Sequence, residues 1–514
     1  MGIFFKQVAP VALGAVLLAF AFPMFHWWPL AWVALVPLFV RAGAASPRGA
    51  AGWFFFAGWL FHSLLLQWLW ANVMWAGGWA VLGQQGLCIA LALFWAPVGW
   101  AWRRFGAGLG VEGAAVLLAV LWGGMEWLHA NVLTGFGWSA LGYAQGPDLV
   151  FAQVAALGGV SFLSVLLVLV NVLLAGAWQG PRRALRLGLA VGMVVIVHAA
   201  GYVLLHEAAP RENSVRVGIY QSNYSIEMKY DRDYTVEMVE RAAAQSGVLS
   251  RERPVDLMVW PEALVMNDFM AEEVLGPMRK YCAEHAVGLF AGSIRDDDGG
   301  GFNSSVLLGK DGEIIDHYDK VHLVPFGEYV PFAWLFPFLK SVVPRDASIG
   351  GGHKVLLGPT PAFGPMICFE VLYNGIAEEL YAKGASYLTV ITNLAWFGMS
   401  GAAPQELEVA RFRAIETRLP LVHASNTGIS GVFDPYGRLE YLHGFVRRDG
   451  SYIEIPREQF PVEYSRGERL IGGFELPAAG TRPWAQGTAK FTAGYVLIAL
   501  ALGVWGWRRG GAAA

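Results

Sequence analysis

The stretch GPMICFEVLY at residues 364–373 places one cysteine at a junction between elements. Met366 and Ile367 read as the end of a buried strand, and residues 374–383 read as a helix carrying Glu378 and Glu379. Cys368 stands between them. A thiol at such a turn lies near backbone N–H groups and a helix N-terminus, so the thiolate, the nucleophilic form, is expected to be favoured. A single cysteine is more often a buried structural residue, so its partners decide. Glu262 and Lys320 also each follow a predicted strand, 256–260 and 314–318. In a layered α/β domain such positions converge at one edge of the sheets. A thiol needs a base, which a carboxylate supplies. A tetrahedral intermediate needs a positive donor for its oxyanion, which a lysine supplies. The three residue types together suit acyl chemistry on a cysteine.

The elements that must position them follow from alternation and turn signals. Residues 215–221, 256–260, 287–294, 303–308, 314–318, 387–392, 421–425 and 431–433 read as strands. Residues 235–251, 272–285, 374–383 and 404–418 read as helices, the first with Asp231, Asp233 or Thr235 as candidate caps. Gly309 to Gly312 and Asp434 to Gly437 read as turns. Strands alternating with helices, with added hairpins, argue an α/β layered fold. Residues 333–343 are apolar and aromatic and read as a lid or a membrane-dipping segment.

The rest of the chain is of another class. The 514 residues are 55% hydrophobic and only 15% charged, too apolar for an ordinary water-soluble enzyme, and the apolar runs are concentrated in 1–206 and 490–507. A bilayer core needs roughly 20 apolar residues per helix. Candidate spans lie at 8–24, 28–45, 50–73, 79–102, 112–131, 151–178, 184–206 and 490–507, the second short or tilted. With both termini cytoplasmic, Lys6, Arg41, Arg48, Arg103, Arg104, Arg182, Arg183, Arg186, Arg508 and Arg509 all fall on the cytoplasmic side, and the opposite short loops hold no Lys or Arg. That places 207–489 on the outer side. The expected organisation is a membrane domain of seven helices at 1–206, a soluble domain at 211–485 and a last helix at 490–507. His62, Gln67, Asn72 and Asn171 are expected to serve helix–helix contacts. The Gly-rich aromatic loop 127–145 reads equally as an interfacial belt or as a lip guiding lipid. Three cysteines without close spacing suggest neither a disulfide framework nor a zinc site. A net charge of −3 without a basic cluster gives no reason to expect nucleic acid.

Taken together, VWPE at 259–262, YDK at 318–320 with LVPFGE at 323–328, and ICFE at 367–370 resemble the Glu-Lys-Cys signature of the nitrilase (carbon–nitrogen hydrolase) superfamily. With the FPxFxWxPLxW motif at 22–32, LTGFxW at 133–138 and NTGIS at 426–430, the chain resembles the apolipoprotein N-acyltransferase family over nearly its whole length. The resemblance implies about eight transmembrane helices plus an α/β domain built as an α-β-β-α sandwich. It implies Glu262 as base, Lys320 as oxyanion donor and Cys368 as nucleophile. The acyl chain at sn-1 of a phospholipid, typically phosphatidylethanolamine, would pass through a thioester to the α-amine of a lipoprotein's S-diacylglyceryl-cysteine, the last step of lipoprotein maturation. Glu328 and Glu370 would support the site, and Trp138, Tyr230 and Phe369 would face substrate. No metal or other cofactor is implied. The location implied is the bacterial inner membrane, with the catalytic domain periplasmic. The chain departs from the family pattern at Gly137, Tyr230, Phe369, Leu394 and Glu406, where Pro, Trp, Tyr, Asp and His are usual. The alternative reading is a membrane-tethered amidase of the nitrilase type with water as acceptor.

Overall fold

The computed structural model describes residues 2–73, 77–206, 215–297, 300–334, 337, 346–398, 400–444, 469–476, 494, 498–499 and 501–506. The chain divides into two units, Met1–Glu207 with Arg482–Ala514, and Ala208–Thr481.

The first unit is helical. Four of its helices, Trp79–Gly108, Gly110–Asn131, Val160–Trp178 and Arg183–Leu205, are long and apolar enough to cross a membrane, and Lys6–Ala21, Trp28–Gly43 and Leu149–Gly158 are shorter apolar helices. Three expected spans are interrupted. The 28–45 stretch is a 3-10 turn, Trp28–Trp32, followed by the helix Val36–Gly43, with a proline at the start of each. The 50–73 stretch is the helix Pro47–Leu65 followed by the 3-10 turn Gln67–Asn72. The 151–178 stretch breaks at Gly159, whose φ of 74° favours glycine. Asn171 joins separate segments, accepting from the Leu35 N–H at 3.0 Å and donating to the Ala31 carbonyl at 2.9 Å. His62 meets the Ser139 hydroxyl at 3.0 Å. Of the expected span 490–507, residues 494, 498–499 and 501–506 are helical and the rest lie outside the described residues.

The second unit is built on two sheets. The strands are β1 (Val215–Gln221), β2 (Leu257–Trp260), β3 (Gly288–Asp297), β4 (Gly300–Leu308), β5 (Ile314–Asp319), β6 (Phe363–Ile367), β7 (Tyr387–Thr392), β8 (Leu421–Ser425), β9 (Ile429–Phe433), β10 (Leu439–Gly444) and β11 (Arg469–Leu476). One sheet has the order β11-β1-β2-β3-β4-β5 and the other β10-β9-β8-β7-β6. β1, β2 and β3 are parallel neighbours, as are β6, β7 and β8. Alternation along each strand sorts the side chains into two layers. Val217, Ile219, Leu257, Val259 and Phe290 of the first sheet pack with Ile367, Tyr387, Ile391 and Val422 of the second, forming the core between the sheets. Phe290 meets Phe363 edge-on across it, with centroids 5.1 Å apart. Tyr220, Met258, Trp260 and Leu289 point the other way, onto the helices Thr235–Glu252 and Glu272–His285. The helices Asn374–Ala382 and Ala402–Thr417 accompany the second sheet. The domain is therefore an α/β sandwich of two sheets packed face to face with helices outside them.

Asn426, fully buried just after β8, ties the two sheets. Its carbonyl oxygen accepts from the Ser222 hydroxyl and, at 3.1 Å, from the Tyr224 N–H, both beyond β1. Its amide donates to the Tyr224 carbonyl at 3.0 Å and to Asn393, beyond β7, at 2.8 Å. Removing one side chain thus strands several buried polar groups, each costing about 1–3 kcal/mol. Asn426→Ala is expected to destabilise the domain by about 2–4 kcal/mol. Thermal melting of the detergent-solubilised protein reads this directly, and an unshifted midpoint refutes the tie.

Candidate active site

Glu262 follows β2 in a turn that depends on two backbone details. Ala263 adopts a φ of 42°. Gly292 of β3 lies under the turn, and a Cβ placed there would sit 2.4 Å from the Pro261 carbonyl oxygen and 2.6 Å from the Glu262 Cα. The glycine is what lets the Glu262 backbone lie flat on β3. The Glu262 side chain is buried and accepts from the Asn303 amide at 2.8 Å. The same amide nitrogen donates to Glu328 at 2.7 Å, so one asparagine holds two carboxylates side by side.

Lys320 leaves β5 into this pocket and is 1% exposed. Its ammonium lies 3.4 Å from Glu262 Oε1 and 3.1 and 3.0 Å from the two Glu328 oxygens. Burial alone would pull Lys320 down, but Glu328, Glu262 and Cys368 outweigh it and hold it well above the ordinary lysine range. It is a permanent cation. Glu328 also accepts from the Val324 N–H at 2.8 Å, which closes the loop after Lys320.

Cys368 follows β6 with a φ of 52°, a left-handed conformation at a non-glycine residue. It opens a 3-10 turn, Cys368–Leu372, and the helix begins only at Asn374. The residue keeps partial exposure while its thiol is enclosed. Here the expectation of a favoured thiolate is overturned. Burial first, then the Glu262 charge, pushes the thiol well above its ordinary value, and Lys320 and a hydrogen bond from Thr392 only partly oppose this. The resting pair is a thiol beside a carboxylate, so a nucleophilic role for the sulfur would need its proton to pass to that carboxylate.

Glu370 is fully buried and serves as a clamp. One oxygen accepts from the Tyr318 hydroxyl at 2.8 Å, the Val321 N–H at 2.8 Å and the His322 N–H at 3.1 Å. The other accepts from the Ile367 N–H at 2.8 Å. It therefore fastens the residue before Cys368 to the segment just after Lys320. Phe369 is nearly buried beside His322 and Tyr373. Tyr230 is exposed and meets Trp396 edge-on at 6.2 Å. Trp138 belongs to the helical unit, buried with its ring 4.9 Å from Trp68. Of residues 333–343, only 333, 334 and 337 are described, so the expected lid lies largely outside the described residues.

Sequence reasoning missed two residues around this cluster, Asn303 and Lys229, and noted a third, Glu406, only as a departure from the family pattern. Asn303 gave no signal beyond its place in a strand. Lys229 is buried and donates to the Glu262 main-chain carbonyl at 3.1 Å. Its burial lowers its pKa to about 7 despite the attraction of Glu262. Glu406 is buried on the Ala402–Thr417 helix.

The Gly292 contact is testable. Gly292→Ala must displace the turn carrying Glu262, at a packing cost of about 1–3 kcal/mol. Iodoacetamide labelling of Cys368 is expected to slow about tenfold or more, because a base misplaced by ~1 Å loses its proton transfer. An unchanged rate in a folded variant refutes this dependence.

Comparison with known proteins bears on both units. A family model for the carbon-nitrogen hydrolases matches residues 216–458, and one for the apolipoprotein N-acyltransferase N-terminal domain matches residues 14–173. An apolipoprotein N-acyltransferase of Geobacter metallireducens is 33% identical over 446 residues, covering 83% of this chain and 85% of its own. One of Gloeobacter violaceus is 30% identical over 514 residues, covering 95% and 92%. The solved Saccharomyces cerevisiae Nit3, a member of branch 10 of the nitrilase superfamily, aligns with a TM-score of 0.40 at 19% identity, covering 52% of this chain and 93% of that one. Similarity at this level across both units shows that the chain belongs to the apolipoprotein N-acyltransferase family, and it is a membrane acyltransferase with a nitrilase-like domain.

Proposed function

We propose that the protein moves an acyl chain from a phospholipid to the α-amine of a lipoprotein's N-terminal S-diacylglyceryl-cysteine, through a thioester on Cys368. The observation that carries the proposal is the enclosed thiol, coupled electrostatically to Glu262 and to the permanently charged Lys320, in a chain of this family. In the first half, the Cys368 proton passes to Glu262 as sulfur attacks the ester carbonyl. The oxyanion forms near Lys320. The ester C–O bond then breaks, and the lysophospholipid oxygen takes the proton back from Glu262. In the second half, the acceptor amine attacks the thioester and gives a proton to Glu262. The C–S bond breaks, and that proton restores the thiol. No proton or electron is left over, and no further reactant is required. Glu328 balances the Lys320 charge, and Glu370 fixes the turn that presents sulfur.

The donor chain is the one at sn-1, with phosphatidylethanolamine the typical donor, and Trp138, Tyr230 and Phe369 serve substrate. Both substrates are lipids, so a site served from the membrane surface needs no chain to cross bulk water. An inner-membrane location with both termini cytoplasmic and the catalytic domain periplasmic is supported by the expected eight spans, the expected division at 1–206, 211–485 and 490–507, and the placement of Lys and Arg.

Intact-mass measurement after incubation with phosphatidylethanolamine tests the thioester. An acyl-sized mass gain, removed by hydroxylamine and absent from Cys368→Ala, is expected. A diacylglyceryl peptide added next should take the acyl group and return the enzyme to its starting mass. A wild-type protein that gains no mass, yet hydrolyses a small amide, sinks the proposal in favour of an amidase.

A further inference from the structure

Glu406 is a carboxyl group that the reaction above does not use. It is 1% exposed, on the Ala402–Thr417 helix. Its two oxygens face a single hydroxyl, Thr392 Oγ1, at 3.0 and 3.3 Å. Thr392 closes β7, and the pairing of Ile367 with Ile391 in the parallel β6–β7 ladder brings it beside Cys368, whose thiolate form its hydroxyl favours. The three groups form a row from carboxyl to hydroxyl to sulfur, buried at the end of the sheet that carries the nucleophile.

A threonine hydroxyl has one hydrogen to give. If Glu406 is a carboxylate, it has no hydrogen, and Thr392 must donate to it. Sulfur then loses its donor and faces an added negative charge. If Glu406 is protonated, its O–H donates to Thr392 Oγ1, and the threonine hydrogen is free to point at sulfur, where it supports the developing thiolate. The direction of the row is therefore set by one proton at its far end.

We propose that Glu406 is a positioning residue that acts, in its protonated form, through Thr392 to keep a hydrogen-bond donor on Cys368, and that losing this proton switches the nucleophile off. The inference rests on the reading of Cys368 as nucleophile. The surroundings fit it. Burial, the largest influence, pushes Glu406 up to about 8. Glu262, beyond β2, adds to this, while Thr392 and Lys320, beyond β5, oppose it. Cys368, beyond β6, is itself raised by the Glu406 charge. On its own helix, the neighbouring Glu408 is paired with Arg411 at 2.9 and 3.0 Å and leaves Glu406 to Thr392. Glu406 is thus the neutral acid at neutral pH and ionises as the pH rises through about 8.

The test is the pH profile of Cys368 alkylation by iodoacetamide, a small neutral probe, on the full chain in detergent, with the labelled peptide quantified by mass spectrometry. This readout needs no lipid. Thiol ionisation raises every rate with pH, so the wild-type rate is read relative to Glu406→Gln at the same pH, and this ratio is expected to fall about tenfold as the pH rises through about 8. Glu406→Gln carries a permanent donor, so it should stay within threefold of wild type at pH 7 and outpace it above pH 8. Thr392→Val should be slow, at least tenfold, at every pH, and Thr392→Ser should restore the rate. A Glu406→Gln profile that superimposes on wild type, or a Thr392→Val rate equal to wild type, overturns the relay while leaving Cys368 as nucleophile. If Glu406→Gln fails to fold, the Thr392 pair decides alone. Absence of Cys368 labelling at every pH overturns the relay and the proposed reaction together.

Discussion

An ammonium group cut off from water must be neutralised where it stands, and the site is arranged around that requirement at Lys320. Leaving one member of a buried ion pair alone costs several kcal/mol, roughly 3–5. Two carboxylates answer the single cation, at unequal distances. Glu328 holds Lys320 with both oxygens at 3.0–3.1 Å, whereas Glu262 approaches with one oxygen at 3.4 Å. The closer carboxylate carries the neutralisation. The looser one keeps the capacity to take a proton without stranding the cation. Asn303 makes this division geometric, since its one amide nitrogen spaces the two carboxylates. The same Lys320 charge then faces the sulfur and any oxyanion beside it.

A fixed charge acts on Cys368 in a defined way only if the sulfur is fixed relative to it, and Glu370 fastens that turn. Both Cys368 and Ala263 hold left-handed backbone conformations, each costing on the order of 1–2 kcal/mol for a residue with a Cβ. Such turns persist where the surroundings over-determine them. At Cys368 that surrounding is the Glu370 carboxylate, with four hydrogen bonds reaching both flanks of the site. At Ala263 it is the Leu264 N–H bonded to the Gly292 carbonyl at 2.9 Å, and the missing side chain of Gly292. Strain at Cys368 and at Ala263, beside Glu262, is thus met by the neighbours that hold each turn.

These arrangements divide what the sequence makes legible from what it does not. Strands with regular alternation and a buried face, such as Val215–Gln221, Tyr387–Thr392 and Leu421–Ser425, were found with their observed bounds, as was the helix Glu272–His285. Their side chains repeat with the period of the element. β10 and β11 carry weaker patterns, and β11 acquires meaning only by pairing with β1, far away in sequence. The chemical residues behaved the same way. Glu262, Lys320 and Cys368 stand beside strand ends, where position is a signal, and the fold couples them electrostatically. Asn303, Lys229 and Thr392 are ordinary strand or helix residues in sequence. Their roles come from which neighbour the fold supplies. The thiolate expectation failed for a related reason. It weighed the local turn, whereas burial and Glu262 are tertiary effects and are larger.

A thiol that rests protonated has a consequence for the order of events. A permanent thiolate in an enclosed site would have to be paid for in the resting enzyme. In the proposed reaction the charge on sulfur appears only when an acyl carbonyl arrives, because the proton moves to Glu262 as the new bond forms. The carboxylic acid made in that step is the donor that the leaving oxygen needs, and the carboxylate left afterwards is the base that an incoming amine needs. One residue would therefore serve both halves of the proposed reaction, because the sulfur starts and ends neutral. In the proposed reaction, the constraint that raises the thiol, burial beside a carboxylate, is the one that returns Glu262 to its starting state at the end of the second half.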